Sequence, residues 1–206
     1  MVAMLRAAIR IVAVLLCLTV HETCHGLTAY ALGDPTAKSQ HRLSLNPLHH
    51  IDWFGLAAML LLGFGWAKPV PVDMRYFKNP KQGMALTALA GPVSNLLLAL
   101  LLMLGARAIL DASPDSAAWG WTYAFLMIAA QLSIGLGVFN LLPISPLDGS
   151  KVLFALLPDD KYQRLMYYER YGVFVLYALI FFGALDGFLG RAVSAVYTAF
   201  VNLIFD

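Results

Sequence analysis

The chain has 206 residues, 60% of them hydrophobic and 13% charged, with a net charge of +2 and a mean hydropathy of +0.72. Soluble domains are nearer half apolar and a quarter charged, so these proportions exclude an ordinary water-soluble globule. The low net charge and the lack of any Lys/Arg block exclude a nucleic-acid-binding surface; what remains is an all-α polytopic membrane protein, since a helix crosses a bilayer with roughly 20 apolar residues.

The first predicted element is a helix from Ile9 to Ala31. Arg6 and Arg10 ahead of an apolar stretch resemble a signal peptide, but no small-x-small cleavage site follows and the helical pattern continues through His25. An uncleaved first membrane helix is therefore expected. Cys17 and Cys24 lie on it about 10 Å apart along the axis, too far for a disulfide. A polar stretch with Pro35 and Pro47 follows. Asp52 to Gly65 is then apolar but short for a span. Its basic flanks, Lys38 and Arg42 before it and Lys68, Arg75, Lys78 and Lys81 after it, place both ends in the cytoplasm. The segment is thus expected to be re-entrant or interfacial. Residues 66–73 carry two prolines among small and branched residues and read as a small strand-like loop.

Gly83 to Leu110 is the next span, followed by a short acidic outer loop and an aromatic belt at Trp119, Trp121 and Tyr123. Gly120 to Leu142 returns. A broken stretch leads into a short helix, then an amphipathic basic surface segment, and finally a helical hairpin over 171–204, formed by Tyr171–Leu185 and Phe188–Ile204. The expectation is a single domain over 1–206 with about five to six membrane helices, the re-entrant segment included. All Lys and Arg except Arg6, Arg10, Arg107 and Arg191 then fall on the cytoplasmic side.

One stretch contradicts its surroundings. The first helix contains His21-Glu22-Thr23-Cys24-His25, which is H-E-x-x-H. Residues i and i+4 share a helix face, so His21 and His25 can hold one Zn²⁺ while Glu22 acts as general base. Chance is the competing explanation for so short a motif. However, an ionisable group at the bilayer centre costs roughly 2.5–3.5 kcal/mol, and three on one turn need a compensating partner such as a metal.

A catalytic zinc usually takes three protein ligands and keeps one position open. Asp148 is the candidate third ligand, in a stretch broken by Pro143, Pro146 and Gly149. Position alone favours an N-cap role for an Asp ahead of a helical run; the missing third ligand favours coordination. Glu169 lies in the basic surface segment, Asp186 in a tight turn, and Asp34 and Asp52 in the polar loop, so they are weaker candidates. Asn140 and Asn95 sit in apolar surroundings, where a buried amide can bind substrate backbone, stabilise an oxyanion or join helices.

These residues together resemble the site-2 protease family of intramembrane zinc metalloproteases. The resemblance rests on the H-E-x-x-H motif, on Asn140-Leu-Leu-Pro143-Ile-Ser-Pro-Leu147-Asp148-Gly149 as N-x-x-P-x-x-x-L-D-G, and on the intervening Gly91-Pro92-Val-Ser-Asn95. It covers core motifs 21–158 and matches the compact forms without PDZ or CBS domains. It implies one Zn²⁺ per chain on His21, His25 and Asp148, with Glu22 as catalytic acid/base. It also implies a multi-pass protein of a prokaryotic cell (inner) membrane, an active site toward the cytoplasmic face, and cleavage of transmembrane protein substrates, often in regulated intramembrane proteolysis. Homo-oligomerisation stays open.

Two other function classes compete. His41, His49 and His50, with His21 and His25, could form a transfer route in a metal-binding or metal-transporting membrane protein. Transporters often carry paired broken helices, and this sequence has one broken segment. A catalytically inactive scaffold is the other class, against which the intact Glu22 and three candidate ligands argue. Hydrolysis needs water inside the bilayer, and irregular backbone at that depth must line a cavity or be buried; the stretch from Asn140 to Gly149 is where water entry is expected. Residues 66–72 could pair with an unwound substrate as an added strand.

Overall fold

The computed structural model describes residues 2–55, 68–112 and 116–206. Most of the expected re-entrant segment, the first two residues of the strand-like loop and part of the acidic loop lie outside the described residues. Helix α1 spans Val2–Ala31, α2 Thr36–Ser39, α3 Pro80–Ala112, α4 Ala117–Asn140, α5 Asp148–Ala155, α6 Asp159–Phe181 and α7 Asp186–Phe205, with single 3₁₀ turns at Pro47–His49 and Met74–Tyr76. Helices α1, α3, α4 and α7 are long and apolar enough to cross a membrane. The molecule is an all-α polytopic membrane protein.

Two boundaries differ from expectation for identifiable reasons. Helix α1 begins at Val2 rather than Ile9, because the residues ahead of Ile9 are mostly Ala, Leu, Met and Arg, all strong helix formers. Helix α6 runs unbroken through the expected surface segment into the apolar residues beyond Tyr171, since no proline interrupts it. Residues 68–73 are extended but pair with no strand among the described residues, consistent with the missing N–H groups of Pro69 and Pro71.

Helices α1, α3 and α4 form the centre, each packed on the other two; α7 covers α3 and α4, and α5 lies on α3. The seams are lined by small residues. Ala13, Ala29, Ala88, Ala99, Ala106, Ala129 and Ala130 are all buried. Lipid offers no hydrophobic force between helices, so close van der Waals approach of small residues carries the packing. Met103 and Ile134 fill the space between α3 and α4, with Val196 and Phe200 of α7 packed against them. Cys17 and Cys24 are free thiols, and the Cys17 Sγ–H points at the Ala129 carbonyl at 3.6 Å.

The broken stretch before α5 has its own anchor. Leu142 and Leu147 pack on Leu176 of α6, and Ser145 occupies the space a Cβ at Gly172 would take. A Cβ at Gly149 would strike the carbonyl of Leu141 and come within 2.5 Å of the Leu142 oxygen. The glycine in the L-D-G sequence therefore lets α5 start flush against the preceding loop, which sets the position of Asp148 beside it.

Helix α1 ends in a Schellman arrangement: the Asp34 N–H donates to the Ala29 carbonyl at 2.9 Å, the Gly33 N–H to Tyr30 at 3.0 Å, and Gly33 takes φ +107°, where glycine has no steric penalty. The fully buried Asp34 carboxylate then accepts from the Thr36 N–H, the Thr36 hydroxyl and, at 2.7 Å, the Asp73 N–H. It ties the extended 68–73 segment to the end of α1. That explains a buried acid in the loop without assigning it chemistry.

Candidate metal centre

The helical spacing of His21 and His25 turns both imidazoles toward α3, and α5 brings Asp148 against them. The two Nε2 atoms are 3.0 Å apart, and each lies 3.2 Å from Asp148 Oδ2. Among the described residues this is the one group of three or more His, Cys, Asp or Glu side chains with a shared potential ligand point. A tetrahedral zinc with bonds of about 2.0–2.1 Å holds its donor atoms about 3.3 Å apart, close to these three edges.

Proton bookkeeping points the same way. His25 Nδ1 lies 2.7 Å from the Thr87 carbonyl, which can only accept, so Nδ1 carries the proton. A neutral His25 then presents a lone pair at Nε2. That lone pair faces the buried Asp148 Oδ2 at 3.2 Å, where neither atom can donate to the other. Two acceptors at 3.2 Å repel; a cation between them turns the contact into coordination. The donor set of two imidazoles and a carboxylate suits zinc.

The N-cap alternative for Asp148 is not what the structure contains. Leu147 is the N-cap of α5, no side chain caps it, and Asp148 is the first helical residue. Its carboxylate turns away from the helix end toward the histidines.

Helix α3 supplies the wall behind the imidazoles through residues four apart: Thr87, Gly91 and Asn95. The Thr87 carbonyl holds His25. Asn95, fully buried, places its amide nitrogen 3.1 Å from His21 Nδ1. A Cβ at Gly91 would strike His25 Nε2 and come 2.6 Å from His21 Cε1. Glycine here is a requirement of close approach. Pro92 then removes one α3 ladder bond, while the Ser94 hydroxyl donates to the Gly91 carbonyl at 2.7 Å. The fold therefore makes a prediction: Gly91→Ala displaces both rings, costs about 1–3 kcal/mol of stability as an overpacked site, and lowers zinc content in the purified protein. A Gly91→Ala variant with wild-type zinc stoichiometry and melting temperature would contradict this account.

Glu22 points to another part of the wall. Its Oε2 accepts the Val70 N–H at 2.8 Å, which fastens the extended 68–73 segment to α1 next to the histidines. Arg42, buried in the loop, donates from Nη2 to the Lys68 carbonyl at 2.7 Å, and the Lys68 N–H donates to the His50 carbonyl at 2.9 Å. Burial pulls the Arg42 pKa below its ordinary value, against the opposing charge of Glu22. Arg42 and Val70 are site-wall residues that the sequence reading did not single out. A basic residue in a polar loop carries no signal of burial.

The remaining candidates separate. Asn140 spends its amide N–H on the Leu136 carbonyl of its own helix at 3.0 Å. The imidazole of His49 contacts the His41 carbonyl at 3.0 Å on the surface. His50 is buried, with Nε2 2.8 Å from the Ser44 carbonyl. None of these three loop histidines joins the His21–His25–Asp148 group. Asp52 accepts the Phe54 and Gly55 N–H groups as a turn residue. Glu169 lies 3.7 Å from the Lys151 ammonium, and Asp186 opens α7.

The chain is similar to known proteins. A family model described as Peptidase family M50 matches residues 105–184, a span that includes Asp148 but not the histidine pair. "Putative zinc metalloprotease YwhC" of Bacillus subtilis strain 168 is 38% identical over 184 residues, 87% of this chain and 82% of its own length. The chain belongs to peptidase family M50, the site-2 protease family. "Putative zinc metalloprotease Rip2" of Mycolicibacterium smegmatis is 31% identical over 177 residues, 84% of this M50 chain and 66% of its own. Rip2 of Mycobacterium tuberculosis strain H37Rv is 31% identical over 179 residues, with the same two coverages. No solved structure matches.

Proposed function

We propose that this M50 protein is a zinc metalloprotease that hydrolyses peptide bonds in or near the transmembrane segments of other membrane proteins. The observation that carries this reading is the convergence of His21 Nε2, His25 Nε2 and Asp148 Oδ2 within 3.2 Å of one another, on helices that lie among membrane spans. The names of the relatives as zinc metalloproteases support the same metal.

In this reading His21, His25 and Asp148 hold one zinc per chain and Glu22 is the catalytic acid/base. Bound zinc lowers the pKa of a water toward neutrality and polarises a carbonyl. Glu22 accepts the proton released as the water oxygen bonds to the scissile carbonyl carbon, and returns it to the amine nitrogen as the C–N bond breaks. The Val70 N–H fixes the Glu22 carboxylate for this exchange. A substrate helix hides its carbonyls in its own hydrogen bonds and must unwind first; the extended 68–73 segment can offer an unwound strand carbonyl acceptors, its own N–H groups being absent at Pro69 and Pro71 and spent at Lys68, Val70 and Asp73. Asn140 remains a candidate for contact with substrate backbone through its carboxamide oxygen.

The basic loops support a site facing the cytoplasm, and the family resemblance supports a prokaryotic cell membrane and one protease domain over 1–206. Release of regulators by intramembrane cleavage is the cellular role the family resemblance implies. The test compares membrane-protein fragments from cells carrying the wild-type protein with those from cells carrying Glu22→Gln. Fragments present only with the wild type are expected; identical fragment sets overturn the proposal.

A further inference from the structure

We infer that Asn95 is a positioning residue for zinc: its side-chain carbonyl accepts the His21 Nδ1–H and so fixes the imidazole tautomer that leaves Nε2 free to ligate. This rests on the zinc site proposed above and concerns how that site is held.

The two histidines are held differently. His25 has its tautomer set by a backbone carbonyl, Thr87, which can only accept. His21 has no such partner. Its Nδ1 faces the carboxamide of Asn95 at 3.1 Å, and Asn95 is buried completely between α1, α3 and α4. With the amide nitrogen toward Nδ1, His21 accepts there, the ring proton sits on Nε2, and no lone pair faces His25 and Asp148. Zinc ligation through Nε2 requires the opposite: a proton on Nδ1 and an acceptor to receive it.

Asn95 is built to supply that acceptor. A half-turn of the carboxamide exchanges its nearly isosteric ends and brings the carbonyl oxygen to Nδ1. The Asn95 oxygen has no hydrogen-bond partner among the described residues, so the half-turn exchanges only the amide N–H contact to Nδ1 for acceptance from it. The backbone around it is firmly held: the Ser133 hydroxyl of α4 donates to the Asn95 carbonyl at 2.8 Å, and Gly137 of α4 packs so closely that a Cβ there would lie 3.4 Å from the Asn95 Cβ. The side chain is therefore fixed in place and free mainly in its terminal rotation. Thr87 and Asn95, two turns apart on α3, then perform the same task for the two histidines, with Gly91 between them admitting the rings.

This placement also bears on the other roles open to Asn95. A fully buried amide behind a metal ligand cannot reach a substrate carbonyl; an amide that only joins α3 to α1 would make the same contact, and the variants below separate the two roles.

The test measures zinc affinity by competition with a chelator of known affinity, and thermal stability of the metal-free protein, for full-length detergent-solubilised wild type, Asn95→Leu and Asn95→Asp. Asn95→Leu removes the acceptor and is expected to weaken zinc binding about 10–100-fold, as lost outer-shell partners do. Asn95→Asp keeps an acceptor at the same point and is expected to stay within a few-fold of wild type. Wild-type affinity in Asn95→Leu overturns the inference. So does an Asn95→Asp variant as weak as Asn95→Leu, which would mean that the amide N–H is what matters. A purely structural amide would lower metal-free stability in both variants without separating their zinc affinities, and that result also overturns it. If Asn95→Leu fails to fold, Asn95→Ala against Asn95→Asp carries the same comparison. Failure here leaves the protease reading standing, because that reading is judged by fragment release with Glu22→Gln.

Discussion

Asp148→Ala is expected to purify without tightly held zinc. Removing an outer-shell partner of a metal ligand already costs about 10–100-fold in affinity, and removal of a charged first ligand costs more, so a loss of at least about a hundredfold is expected. Asp148 supplies the single negative charge within the triangle of donor atoms. Without it, two neutral imidazoles remain, too few for a catalytic site that takes three protein ligands. Metal analysis of protein equilibrated with stoichiometric zinc reads the result directly. The fold should survive: the carboxylate caps no helix, and the stretch before it is held by Leu142, Leu147 and Leu176. If the alanine variant keeps one tightly bound zinc per chain, another side chain completes the site and the triangle is not the metal centre.

Glu22→Gln should do the reverse, retaining zinc while losing cleavage. Glu22 is not part of the donor triangle, and a glutamine still offers an oxygen to the Val70 N–H, so the 68–73 segment stays fastened to α1. What disappears is a group that can take and return a proton. General acid–base catalysis contributes about 10²–10⁴-fold, or about 3–5 kcal/mol of barrier, and the turnover of a membrane-embedded substrate should fall by that factor. Zinc content, melting temperature and cleavage are measured on one preparation. Retained turnover at unchanged zinc content would remove Glu22 from the chemistry.

The pairing of these two variants separates holding the metal from using it. Gly91→Ala belongs with the first kind, because the obstruction it introduces meets His25 and His21 rather than Glu22. Asn95→Leu belongs there too, at one remove.

Much of the site was legible because its signals are local. Four-residue spacing in H-E-x-x-H places two imidazoles on one helix face whatever surrounds them. Length and apolarity mark α1, α3, α4 and α7 as spans for the same reason: hydrophobic thickness is a property of the bilayer, and each helix meets it alone. The prolines and glycine around Asp148 announced a broken backbone. Other features were illegible because they have no local signal. Whether Asp148 caps a helix or faces a metal depends on the placement of α5 against α3. Arg42 and Val70 became part of the wall through contacts with segments distant in sequence. The row Thr87, Gly91, Asn95 carried a faint signal, since its spacing repeats that of the histidines it faces, but which face of α3 turns toward α1 cannot be read from α3 alone.

The amino-acid order by itself determined the kind of protein this is, an α-helical membrane protein with two imidazoles and a carboxylate available for a divalent ion. Only the tertiary structure decided that these three groups share one point, that a glycine gap lets them do so, and which oxygen-bearing groups stand behind each ring. The reason is physical: helix formation and membrane burial are governed within one segment, whereas coordination requires donor atoms from separate segments to meet within about 3.3 Å, and packing alone sets that distance.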